Sequence, residues 1–134
     1  KADEYRSNRG FAAVTNPRAW LEKLELFENR PDGSEELSPA GKAKIDESMA
    51  EFGDGAVGRA IVVEGYSTTG DTGAQFATSR VRATLVRQYL QTRFGLSSRD
   101  VGIVPLRGVP PRSTNKKNWD GVCLVLLKPR VSAR

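Results

Sequence analysis

The stretch VVEGYSTTGDTGAQFATSRVRATLVRQYL, residues 62–90, contains the features that decide the fold. It begins as a β-branched strand, passes through a loop rich in Gly, Ser and Thr, and continues as a helix predicted from about Phe76 to Arg93, ended by Gly95. At about 100° per residue, the apolar stripe of this helix comprises Val81, Leu85, Val86, Tyr89 and Leu90. Arg82 lies near the middle of that stripe. Because Arg is rarely buried unpaired, the sequence predicts a specific partner or ligand for Arg82.

Strands and helices alternate along the rest of the chain. Residues 23–27 (KLELF) alternate like a half-buried strand, and a helix is predicted from its cap, Ser38, through Pro39 at its first position, to Gly53. Three more strands are predicted at residues 60–67 (AIVVEGYS), 101–106 (VGIVPL) and 121–127 (GVCLVLL). The order β-α-β-α-β-β predicts an α/β two-layer sandwich, in which two helices pack on one mixed sheet and a strand–helix–strand unit favours a parallel, right-handed crossover.

The predicted core lies between this sheet and the two helices. Its sheet residues are Ile61, Val62, Val63, Val122, Leu124 and Leu126, and its helix residues are Ile45, Met49, Leu85 and Tyr89. These positions follow from the apolar runs of the strands and from the helical spacing of the apolar residues.

The length of 134 residues, with 38% hydrophobic and 28% charged residues, is typical of one soluble globular domain. Residues 1–22 show no clear period and are assigned to an N-terminal extension, residues 23–128 to the domain, and residues 129–134 to a C-terminal tail. No apolar run approaches the ~20 residues needed to span a bilayer, so no membrane span is predicted. Lys1 in place of an initial Met indicates a processed chain or an excised segment.

Two residue counts argue against most catalytic and metal chemistry. The chain has no His, and its single Cys, Cys123, is interpreted as a core residue within an apolar run. The usual general base and the commonest metal ligand are therefore missing. We expect no enzyme activity, no cofactor and no metal. An enzyme that uses Asp71 or Glu64 as a base is a minor alternative, because neither a second catalytic carboxylate nor a nucleophile with its base is evident.

Charge is distributed unevenly between the two halves of the chain, whose net charge is +5. Residues 1–60 carry 9 basic and 12 acidic groups, net −3, whereas residues 61–134 carry 12 basic and 4 acidic groups, net +8. The basic half is suited to an anionic partner. Its basic residues are scattered and are not interleaved with aromatic residues as in single-strand nucleic-acid binders, so we expect no nucleic-acid partner.

The loop EGYSTTGDTG, residues 64–73, does not fit a nucleotide site. Gly65, Gly70 and Gly73 lack the dinucleotide spacing, and no Gly-Lys-Ser/Thr ends the loop. A loop at the carboxyl end of a strand and ahead of a helix is nevertheless where open α/β sheets bind ligands. Arg82, within the first turns of that helix, could present its two-pronged guanidinium to a carboxylate there.

These residues resemble the OmpA-like domain, the peptidoglycan-binding C-terminal module of outer-membrane proteins, lipoproteins and flagellar-motor stators. The family signature is roughly Gly-Tyr/His-Thr-Asp, a short loop with an Asn, then Leu-Ser-x-x-Arg-Ala. The positions that match it are Gly65, Tyr66, Ser67, Ser79, Arg82 and Ala83. The resemblance extends to ELSPAGKAKIDESMAEF, GVPP and NWDGVCLVLL, so it covers about residues 23–128.

The resemblance implies a periplasmic module, associated with the outer membrane or cell wall, that anchors an envelope protein to peptidoglycan. In the family, the helix Arg binds a carboxylate of the diaminopimelate side chain, and a loop Asp binds its ammonium group. Arg82 takes the first role, but Thr68 stands at the position of the Asp. The implied ligand-binding residues are thus Arg82, Asp71, Thr68, Ser67 and Gln75, where Asp71 is the substitute acid and Gln75 replaces the loop Asn.

Two alternatives stay open on the sequence alone. Arg82 could pair with Asp71 or Glu64 and only fasten the loop to the helix. The fold could also carry a decayed pocket and act as a protein–protein interaction domain, with other envelope proteins as partners. In addition, Trp119, Asp120 and Gly121 stand where the family often has Asn-Arg-Arg near the final strand.

Overall fold

The computed structural model describes residues 16–53, 56 and 58–127. The strands are β1 (Arg18–Glu22), β2 (Phe27–Asn29), β3 (Glu35–Leu37), β4 (Ile61–Tyr66), β5 (Val101–Pro105) and β6 (Gly121–Leu126). The helices are α1 (Lys23–Leu26), α2 (Pro39–Phe52) and α3 (Thr72–Phe94), with a short 3-10 turn at Arg112–Thr114.

Four strands form a mixed sheet in the order β1-β6-β4-β5. Strand β4 is parallel to β5 and antiparallel to β6, and β6 is antiparallel to β1. The unit β4-α3-β5 is therefore the predicted parallel crossover, and the predicted α/β class with helices packed on a mixed sheet is confirmed. Strands β2 and β3 form a separate antiparallel hairpin.

The segment before the first long helix differs from the sequence prediction. Residues 18–22, assigned to an N-terminal extension, form β1, which pairs with residues 121–125 of β6. The predicted strand at residues 23–27 is wrong: Lys23–Leu26 is a helical turn, and β2 begins only at Phe27. The pairing of β1 with β6 ends at Glu22, which is opposite Gly121, the first residue of β6. The next residues therefore turn away from the sheet. Residues 1–15 of the predicted extension and the predicted tail lie outside the described residues.

Capping residues set the ends of the two long helices. The Ser38 side chain accepts a hydrogen bond from the Gly41 backbone N–H at 2.9 Å, with Pro39 in the first turn, as predicted. Helix α3 begins at Thr72, four residues before the predicted start, because Asp71 caps it by accepting from the Ala74 N–H at 2.8 Å. It ends as predicted at Gly95, whose φ of 68° suits a glycine cap.

Most of the predicted core lies between the helices and one face of the sheet. This cluster contains Ile45, Met49, Ile61, Val63, Val122, Leu124 and Leu126, with Leu85 and Tyr89 packed against it. Val62 is the exception: it points to the other face, where it clusters with Tyr66, Cys123 and Val125. The run AIVVEGYS is apolar on both faces, so its composition alone does not show which residues alternate toward the helices.

Candidate functional site

Arg82 is buried on α3, with only 4% of its side chain exposed, as its position on the apolar stripe predicts. Its Nε and Nη2 donate to Oε1 and Oε2 of Glu35 at 2.8 and 2.9 Å. This two-pronged pairing is the strongest geometry available to a guanidinium and a carboxylate. It joins α3 to the β2-β3 hairpin, and the Phe27 ring of that hairpin lies 5.7 Å from the Arg82 guanidinium carbon.

The other side of the guanidinium binds the end of β4 and the residue before β6. Arg82 Nη1 donates to the Tyr66 backbone oxygen at 2.7 Å and to Asp120 Oδ1 at 2.6 Å. With the two bonds to Glu35, four of the five guanidinium N–H groups have acceptors among the described residues. Glu35 and Asp120 keep 21% and 25% of their side chains exposed, so the positive charge is buried while its two partners reach solvent.

The charges around Arg82 stabilise one another. Burial opposes ionisation of Asp120, but the hydrogen bond and charge of Arg82, with the charge of Lys23, outweigh it and hold the pKa of Asp120 below its usual value. Burial also opposes the charge on Arg82, yet its bonds to Glu35 and Asp120 raise the pKa of the guanidinium. Lys23 Nζ lies 3.5 Å from Asp120 Oδ2. The cluster therefore contains two cations and two carboxylates.

An open groove of about 520 Å³ runs between the hairpin, the loop after β4 and the first turns of α3. Its charged lining residues are Lys23, Glu35 and Arg82. The remaining lining is small or polar and comes from Asn29, Gly33, Ser34, Ser67, Thr69, Gly70, Ala74, Ala77 and Thr78, with Val81. The groove is at the carboxyl end of β4, where the sequence predicts a ligand site.

The structure places the predicted loop residues Ser67, Thr68 and Gln75 near the carboxyl end of β4, and each makes a hydrogen bond within the protein. Ser67 lines the groove, and its backbone N–H donates to the Arg107 oxygen at 2.6 Å. Thr68 Oγ1 donates to Asp120 Oδ2 at 3.1 Å. Gln75 Nε2 donates to the Gly70 oxygen at 3.0 Å, which holds the loop against the helix. Whether these residues bind a ligand stays a prediction.

The partners that the sequence suggested for Arg82 are wrong. Asp71 accepts from the Ala74 N–H and caps α3, so its carboxylate is used at the helix end. Glu64 is fully buried beside β1 and β6, where it accepts from Arg18 Nη1 at 2.6 Å and from the Tyr66 hydroxyl at 2.7 Å. Strand alternation turns Glu64 to the sheet face opposite α3. Arg82 cannot meet it there.

Sequence reasoning missed the actual partners, Glu35 and Asp120. They lie 47 and 38 residues from Arg82 along the chain. Glu35 follows the turn PDGS, where an acidic residue is ordinarily a solvated one, so no local pattern marks it. For Asp120 the sequence contains a weak indication of its position. It directly precedes Gly121, the first residue of β6, and Gly121 pairs with Tyr66. Antiparallel pairing there brings Asp120 to the carboxyl end of β4.

No helix within the described residues is long and apolar enough to cross a membrane. Among the same residues, no group of three or more His, Cys, Asp or Glu side chains is arranged to hold a metal ion.

The fold is a small α/β domain with a charged groove at the carboxyl end of β4. A comparison with protein families matches residues 31–120 to the OmpA family. The match covers more than half of the chain, and the chain belongs to this family. A search of curated proteins finds no match. Among solved structures, the chain is similar to the OmpA-like domain of FopA1 from Francisella tularensis subsp. tularensis SCHU S4, with 16% identity over 87% of this chain and 82% of that chain and a TM-score of 0.45.

Proposed function

We propose that the chain is a non-enzymatic cell-envelope module that binds the stem peptide of diaminopimelate-type peptidoglycan and anchors an envelope protein to the cell wall. Membership of the OmpA family, whose domains typically bind peptidoglycan, supports this function. It also supports a periplasmic location associated with the outer membrane or cell wall. The observation that carries the proposal is the groove beside Arg82, at the carboxyl end of β4 and against the 65–75 loop.

The groove has the chemistry that an amino-acid centre requires. A diaminopimelate side chain ends in one carboxylate and one ammonium group on the same carbon, so its site must offer both signs of charge close together. Two cations, Arg82 and Lys23, and one carboxylate, Glu35, line the groove. The loop adds neutral polar groups to the groove lining, with Ser67 and Thr69.

A second function, a protein–protein interaction domain with a decayed pocket, is favoured by one observation. Arg82 already has two carboxylate partners within the described residues, so its charge needs no ligand. In this second case the groove would be unused, and the family fold would serve as a scaffold for contacts elsewhere.

Retention on purified sacculi tests the first function. Ala77 is an exposed residue of α3 on the groove wall, and Ala43 is an exposed residue of α2 that does not line the groove. Ala77→Trp should fill the groove and abolish retention, whereas Ala43→Trp adds the same side chain to a helix surface and should be retained like wild type. Thermal melts of the three proteins confirm that each is folded.

Two results contradict the proposal. If Ala77→Trp is retained as well as wild type, the groove does not bind peptidoglycan. If wild type itself passes through with the unbound fraction, the interaction domain becomes the better conclusion.

A further inference from the structure

We infer that Glu35 is an internal carboxylate ligand of Arg82, which an incoming carboxylate must displace before it can bind in the groove. This inference rests on the proposed function only for the identity of the natural ligand. Its physical basis is that Glu35 already accepts hydrogen bonds from the two guanidinium nitrogens that a ligand carboxylate would use. Glu35 uses both Nε and Nη2 at 2.8 and 2.9 Å, the side-on geometry that a bound carboxylate would otherwise take.

The remaining side of Arg82 offers an external carboxylate no equivalent place. Nη1 donates both to the Tyr66 backbone oxygen and to Asp120, and these acceptors belong to the sheet ends beneath the helix. Only 4% of the Arg82 side chain is exposed. A ligand carboxylate that pairs with Arg82 through two hydrogen bonds therefore has to replace either Glu35 or Asp120.

Glu35 is the partner that can leave. It lines the groove, whereas Asp120 is held from two further sides, by Thr68 Oγ1 at 3.1 Å and by Lys23 Nζ at 3.5 Å. Glu35 lies on β3, a three-residue strand next to the exposed turn of the hairpin. Replacing one carboxylate by another leaves the charge of Arg82 compensated, so the exchange avoids the large cost of an unpaired buried cation.

The same strand provides a matched control. Glu36 is the next residue, and its side chain pairs with Arg30 at 3.0 Å on the exposed side of the hairpin, outside the groove. Glu35→Gln and Glu36→Gln each remove one negative charge from the same hairpin. Any general attraction of a more basic protein to an anionic ligand is therefore equal in the two variants.

The test is an NMR titration that follows the Arg82 Nε–H resonance, with glutarate as the simple carboxylate probe and a meso-diaminopimelate tripeptide as the second ligand. Glu35→Gln should bind glutarate at Arg82 at least about tenfold more tightly than wild type and Glu36→Gln do, the scale of one lost competing charged hydrogen bond. Glu35→Ala, which also removes the bulk of the side chain, should show the same gain. Thermal melts show which proteins are folded.

The outcomes separate the two proposals. If the affinity for glutarate at Arg82 is the same in Glu35→Gln, Glu35→Ala and Glu36→Gln, Glu35 is not a competing ligand and the inference is overturned. It is also overturned if the Glu35 variants bind more weakly than wild type, since Glu35 would then contribute to ligand binding. A gain with glutarate but no binding of the tripeptide by any protein upholds the inference and contradicts the peptidoglycan function.

Discussion

Replacing Arg82 by Lys keeps the positive charge at the centre of the cluster and removes the fork that two carboxylates share. The guanidinium reaches Glu35 through Nε and Nη2, and Asp120 and the Tyr66 oxygen through Nη1. A Lys ammonium donates all of its hydrogen bonds from one nitrogen, so it can bind the acceptors on only one of these two sides. Two charged hydrogen bonds are lost whichever side the ammonium takes.

The expected destabilisation follows from that count. A hydrogen bond to a charged group contributes about 1.5–3 kcal/mol, and the carboxylates of Glu35 and Asp120, being partly exposed, recover part of this from water, so we expect a loss of about 2–4 kcal/mol. For a domain of this size the melting temperature should fall by about 5–15 °C. Urea unfolding at neutral pH measures the free energy directly.

Arg93→Lys is the matched control. Arg93 also lies on α3 and pairs with one carboxylate, Asp46, at 3.4 Å, but 54% of its side chain is exposed. An exposed pair of this kind contributes little to stability, because water and salt screen it, so Arg93→Lys should unfold close to wild type. If Arg82→Lys were equally close to wild type, the four bonds of Arg82 would not stabilise the fold, and its role would have to be sought in ligand binding alone.

Three further predictions concern acid stability, thiol reactivity and core packing. The pKa of Asp120 is lowered in the folded protein from 3.8, so its stabilising effect is present above that value and is lost as the pH falls through the lower folded pKa. The difference in unfolding free energy between wild type and Asp120→Asn should therefore shrink as the pH is lowered below 3.8, and a constant difference would contradict the Arg82–Asp120 pairing. Burial, with the nearby Glu64 carboxylate, raises the pKa of the Cys123 thiol. A thiol reagent should therefore modify Cys123 only as fast as the protein unfolds, and rapid modification of the native protein would show that this sheet face opens. Leu124 is fully buried and Leu24 is 78% exposed. In chemical denaturation, Leu124→Ala should lower the free energy of unfolding by about 2–5 kcal/mol and Leu24→Ala should leave it nearly unchanged. Equal effects would refute the assigned core.

The sequence determined the elements with strong local signals. Ser38 with Pro39, Gly53 and Gly95 mark helix ends through capping chemistry that needs only neighbouring residues. The strongly apolar runs of β4 and β6 predicted strands, and the structure places both in the middle of the sheet. The apolar spacing of α3 also placed Arg82 on the buried face, because helical periodicity fixes which side a residue takes.

Tertiary structure alone decided the short elements and the partners of Arg82. Strand β1 has five residues and each strand of the hairpin has three, too few for an alternating apolar pattern to be recognised. Strand β1 forms because β6 pairs with it, and the hairpin because it packs against α3. Glu35 and Asp120 meet Arg82 across 47 and 38 residues of chain. An ion pair between distant residues depends on where the whole sheet and hairpin bring each carboxylate, and no local pattern in the sequence records that position.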